Sequence, residues 1–97
     1  MKKYHPAAGT HLSELDTPVL FLDIEAVEKN YKAAAETYKN TACKMRQHTK
    51  NIKSPLLALM QIWAGGTVGG VCTAKVAEAE VMVHSGVTDI LIPNQVV

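Results

Sequence analysis

Ninety-seven residues, 47% hydrophobic and 20% charged with a formal net charge of +1, make room for one small domain and carry no global attraction for nucleic acid or other polyanions. The longest apolar runs, TPVLFL, PLLALM and DILIP, fall far short of the roughly 20 residues of a membrane helix. The N-terminal MKKYHPAAGTHLSEL has lysines without the apolar stretch of a secretory signal, so a cytoplasmic protein with no membrane partner is expected.

Residues 1–16 lack apolar periodicity, carry Pro6, Gly9 and Ser13, and read as an N-terminal arm. The run TPVLFLD, Thr17 to Asp23, is β-branched and aromatic and predicts a strand. Asp23 then caps a helix over IEAVEKNYKAAAETYKN, where Ile24, Val27, Tyr31, Ala34, Ala35 and Tyr38 recur at threes and fours. A second strand is predicted over Ala42 to His48. Ser54 as cap, Pro55 at the first helical position and the Gly65-Gly66 stop delimit a second helix. VGGVCTA reads as a third strand, KVAEAEVMVHSG as a helix ended by Gly86, and TDILIPN as a fourth strand. Trp63 and the methionines are assigned to the core. Cys43 and Cys72, without CxxC or ligand spacing, are expected as buried free thiols rather than a disulfide or zinc site.

Strands alternating with helices predict βαβ units, a parallel sheet and right-handed crossovers. Four strands are too few to close a barrel, and a final strand without a following helix leaves an edge open to another chain. The sequence therefore reads as the front of something larger.

Chemistry concentrates in CKMRQHTK. Strand alternation sets Lys44, Arg46, His48 and Lys50 on one face, opposite Cys43, Met45, Gln47 and Thr49. His48 and Lys50 come at the carboxyl end, where α/β folds bind ligands. Cations crowded around a partly desolvated Lys50 would favour its neutral, nucleophilic amine, as Schiff-base chemistry requires. A solvated charge cluster fits the same pattern. GGTVGGVC matches neither GxGxxG after a strand nor a P-loop and reads as a helix stop and tight turn. Glu78 and Glu80, two apart on a helix, do not face each other, and His84 suits its helix's C-terminal carbonyls.

Taken together, LDTPVLFLDIEAVEKN, RQHTKNIKSP and GGVCTAKVAEAEVMVHSGVTDILIPNQVV resemble the N-terminal part of the D-threonine aldolase and D-serine dehydratase group. These are fold-type III pyridoxal phosphate enzymes, related to alanine racemase through its N-terminal barrel domain. The likeness runs from about Leu15 to Val97, with its segments in the family's order. It implies an α/β fold that is an incomplete (β/α) TIM-type barrel, with residues 17–97 forming a leading strand and helix followed by three barrel strands. Val19 to Leu22 would belong to the family's second, mostly β domain.

In that family a strand ending in a motif like Arg-Pro-His-x-Lys-Thr-His-Lys carries the Schiff-base lysine. By position this is Lys50, with Arg46 and His48 matching the arginine and first histidine. The resemblance thus implies Lys50 and His48 as catalytic and Lys50 and Arg46 as cofactor-binding. Gln47 stands where the motif has proline, and Asn51-Ile52 replace its Thr-His. The cofactor implied is pyridoxal 5'-phosphate, and the substrate a small β-hydroxy D-amino acid, in an aldolase or dehydratase reaction. The full-length family also uses a divalent metal, whose ligands find no match in this chain. Self-assembly or a complementing chain would supply the missing strands. The alternative is a non-catalytic remnant or cofactor-binding module, inactive alone.

Overall fold

Asp23 starts the first long element by accepting the Ala26 N–H on its side chain at 3.0 Å, and helix α1 runs Ile24–Tyr38. The computed structural model describes residues 4–96; Lys2, Lys3 and Val97 lie outside them. Strand β1 spans Met45–His48, helix α2 Pro55–Ala64, strand β2 Thr67–Cys72, helix α3 Val76–His84 and strand β3 Ile90–Leu91. Ser54 caps α2 with proline at its first turn, and Gly65, at φ 99°, ends it in a conformation that favours glycine. Gly86, at φ 96°, follows α3 in the same way, and His84 Nδ1 lies 3.0 Å from the Glu80 carbonyl as its position suggests.

The three strands form one parallel sheet in the order β1-β2-β3. The α/β class is thus found, as an open sheet; these residues do not form a closed barrel. The core consists of Ala58 of α2, Val71 of β2, Met82 of α3 and Val87, with Leu59, Ile62 and Ile90 packed against it. The arm carries a 3-10 turn, Leu12–Glu14, and Tyr4 Oη accepts the Asp16 N–H at 3.1 Å.

Four expectations need correction. Thr17 to Asp23 forms no ladder among the described residues, and Leu20 is 99% and Phe21 69% exposed; a strand exists only when a neighbour takes up its backbone groups. Cys43 is exposed, because β1 begins two residues after it. Trp63 is 70% exposed and lines a cavity between α1 and α2 with Tyr31, Met60 and Ala64. Helix α2 carries no charged residue, so its sequence does not mark which face is buried, and Leu57, Ala58 and Gln61 take that side. Lys44, finally, lies outside β1: its Nζ donates to the Tyr38 and Lys39 carbonyls at 2.8 and 3.1 Å, closing the C-terminus of α1.

Candidate functional site

Alternation in β1 sorts its side chains as expected. Met45 and Gln47 turn to the helices: Gln61 Nε2 donates to Met45 Sδ at 3.5 Å, and Gln47 lies beside Tyr31 of α1, whose phenol is pushed up by burial. Gln47 Oε1 is buried with no hydrogen-bond partner. On the opposite face Arg46 reaches across β2. Its Nη1 and Nη2 donate to Asp89 Oδ1 and Oδ2, both at 2.9 Å, a bidentate pair that joins β1 to the residue preceding β3.

The strand between them makes room for this pair. From Met45↔Thr67 to Gln47↔Val71 the chain advances two residues on β1 and four on β2, so β2 bulges. Gly69 in the bulge has φ 81°. A Cβ on Gly70 would fall against the Asp89 carbonyl and 2.7 Å from Arg46 Nη1. The glycine run is therefore a helix stop, as read from the sequence, but a bulge inside β2 where a tight turn was expected, with the added task of admitting Arg46.

The Arg46 hydrogen bonds hold the Asp89 carboxyl below the usual carboxylate range, against a smaller opposing effect of burial. Glu78 is also held low, chiefly by the Ala74 N–H, then by the Lys75 N–H and Lys53. A carboxyl depressed in the folded state stabilises it above the unfolded value and loses that contribution as pH falls through the folded value. The urea midpoint is therefore expected to hold from pH 7 to 5 as far as these groups are concerned, and to drop below about pH 4. Asp89→Asn should lower the midpoint at pH 7 and flatten the acid limb; an unchanged acid limb would contradict the role given to the pair.

Beyond β1 the chain turns sharply. Thr49 is 1% exposed, and its N–H and Oγ1 both donate to the Cys72 carbonyl, at 2.9 and 3.1 Å. The Lys53 N–H returns to the Thr49 carbonyl at 2.8 Å and closes the turn, with Lys53 at φ 48°. Lys53 Nζ lies 3.5 Å from Glu78 Oε1, while Glu78 Oε2 accepts the Ala74 and Lys75 N–H groups at 2.8 and 3.1 Å. One carboxylate thus links the loop after β1 to the loop after β2.

Lys50 stands on this turn at the carboxyl end of the sheet, exposed rather than partly buried. The expected column of cations is broken, since Lys44 serves α1 and Arg46 serves Asp89. His48 remains beside the lysine: its Nδ1 accepts the Lys50 N–H at 3.3 Å, and its β2 partner is Cys72. With Nδ1 accepting, a neutral imidazole carries its proton on Nε2. Sequence reasoning placed Lys50, His48 and Arg46 at one strand but missed Asp89, Thr49 and Glu78. Asp89 is 43 residues from Arg46, and nothing local signals the pairing.

No protein-family model matches the chain. It is 39% identical over 88 residues to 3-hydroxy-D-aspartate aldolase of Paracoccus denitrificans (strain Pd 1222), covering 91% of this chain and 22% of that protein. It is 38% identical over 89 residues to D-threonine aldolase of Arthrobacter sp, covering 92% and 23%. The crystal structure of D-threonine aldolase from Filomicrobium marinum superposes with a TM-score of 0.80 at 45% identity, over 89% of this chain and 23% of that one. The chain thus spans less than a quarter of the length of these relatives.

Proposed function

We propose that this chain, a homologue of the N-terminal part of the D-threonine aldolase group, provides the cofactor lysine of a pyridoxal phosphate enzyme acting on β-hydroxy D-amino acids, and that the lysine is Lys50. Identity of 38 to 45% with aldolases of 3-hydroxy-D-aspartate and D-threonine, over about nine-tenths of the chain, carries this reading. The position of an exposed primary amine beyond the C-terminal end of β1 supports it. In this reading residues 1–16 are an arm, and 17–97 are a leading segment and helix followed by three strands, β1 to β3, of a (β/α) barrel.

The described residues fit the aldehyde end of the cofactor. Lys50 offers an accessible amine at the sheet end where ligands bind. The glycine-rich stretch Gly65 to Gly70 precedes the carboxyl end of β2 and is not assigned to the cofactor phosphate. When bound, pyridoxal phosphate supplies the electron sink for bond cleavage at the substrate Cα. The protein's part is to hold and orient. Lys50 would hold the cofactor, and His48, anchored through Nδ1, would hold or pass a proton at Nε2. Arg46 would contribute through its fixed pair with Asp89 rather than as a free cation. No cluster of three His, Cys, Asp or Glu is found among the described residues, so none is assigned to a metal.

A second reading is favoured by the exposure of Lys50 on its turn, with Arg46 and Lys44 committed to partners elsewhere. Here it binds the cofactor at Lys50 without catalysis, or needs a second copy or a complementing chain, because one reactive lysine is not a catalytic constellation. Incubation with pyridoxal phosphate and D-threonine separates the two. Acetaldehyde from D- but not L-threonine, lost in Lys50→Ala, is what the catalytic reading requires. Saturable binding at Lys50 without aldehyde would assign the binding reading.

A further inference from the structure

The root of Lys50 is fixed by its neighbour. Thr49 uses three polar groups to hold the turn: N–H and hydroxyl on the Cys72 carbonyl, and its own carbonyl under the Lys53 N–H. The corresponding residue of β2 differs. Thr73 also donates its N–H to the next strand, at the Leu91 carbonyl, but its hydroxyl turns forward to the Lys75 carbonyl at 3.4 Å. Only at Thr49, of these two, does the side chain add a bond to the neighbouring strand.

Packing beneath the turn is incomplete. Thr49 lines a cavity of about 230 Å³ with Lys53, Ala77, Glu78, Val81 and Met82. The link from Lys53 to Glu78 is exposed on the lysine side, 68% for the side chain, and such pairs contribute little. With an open cleft below and a weak strap at the far end, the buried hydrogen bonds at Thr49 are the firmest hold on the backbone that leads into Lys50.

We propose that Thr49 is a positioning residue for Lys50, its hydroxyl setting where the lysine leaves the sheet. The proposal deepens the reading of Lys50 as cofactor lysine and rests on it for its functional meaning. The turn geometry is testable without it.

Three chains are compared: wild type, Thr49→Val, which keeps shape and burial but loses the hydroxyl, and Thr49→Ser, which keeps the hydroxyl. Pyridoxal phosphate is titrated with borohydride trapping and peptide mapping, and amide hydrogen exchange is followed across residues 50–53. Losing one hydrogen bond of about 1 kcal/mol predicts an approximately fivefold higher half-saturation at Lys50 in Thr49→Val. Labelling of exposed Lys39 should stay unchanged. Exchange over 50–53 should quicken, and Thr49→Ser should restore both readouts. Wild-type behaviour of Thr49→Val in labelling and exchange would overturn the proposal, as would a serine variant no better than valine. If wild type shows no selective labelling of Lys50, the cofactor reading fails, and the exchange rates alone decide the role of Thr49.

Discussion

Gly70→Ala is expected to destabilise the chain by about 1 to 3 kcal/mol, the usual cost of forcing atoms into filled space. The added methyl would press on the Asp89 carbonyl, which is backbone and has little room to give, and on Arg46 Nη1 at 2.7 Å. Either β2 and β3 separate, weakening the Val71 to Asp89 bond of 3.0 Å, or Arg46 leaves its carboxylate. Gly69→Ala is the informative control. Nothing lies within 4 Å of a Cβ there, so its cost is that of φ 81° alone, about 1 to 2 kcal/mol. Urea unfolding of both variants, with and without Asp89→Asn, separates the mechanisms. In the Asp89→Asn background Gly70→Ala should cost less, because the tight pair it displaces is already weakened; equal costs in both backgrounds would place the strain elsewhere.

Met82→Ala should be the more damaging core change, at roughly 2 to 5 kcal/mol. Met82 is 2% exposed and packs with Ala58, Val71 and Val87. It also lines the open cleft under the Lys50 turn, so truncation would widen that cleft. A chain of this size has some 5 to 15 kcal/mol in total, so a large fraction of the folded population is at stake. Val83→Ala, one residue away, 58% exposed and outside that cleft, should change stability by no more than about 0.5 kcal/mol. Thermal and urea unfolding check both, and a Met82→Ala chain as stable as wild type would mean that α3 does not anchor the core.

The helices were legible because their signals are local. Asp23 and Ser54 cap, Pro55 opens and Gly65 and Gly86 close helices where the structure has them. The face assignment in β1 was equally legible, since alternation alone separates Arg46 and His48 from Met45 and Gln47. Features that depend on distant partners were not. Thr17 to Asp23 has strand composition but, among the described residues, no neighbour to pair with, and Trp63 sits on a helix without a charged face. The cations do not crowd around Lys50 for a similar reason: whether a lysine or arginine is free depends on carbonyls and carboxylates that strand periodicity does not reveal, here those of Tyr38, Lys39 and Asp89. Thr49 occupied the right face in the sequence, yet its hydroxyl bond to Cys72 needed the parallel register to be seen.

The cofactor lysine itself is tested most directly by titrating the intact chain with pyridoxal phosphate, reducing with borohydride and mapping the modified peptides, with Lys50→Ala as control. Saturable modification at Lys50, preceding that of the exposed Lys32, Lys39 and Lys53 and leaving no comparable site in Lys50→Ala, is the predicted result. Modification spread over those lysines with no preference for Lys50 would contradict it, and would reduce the turn after β1 to a solvated strand end.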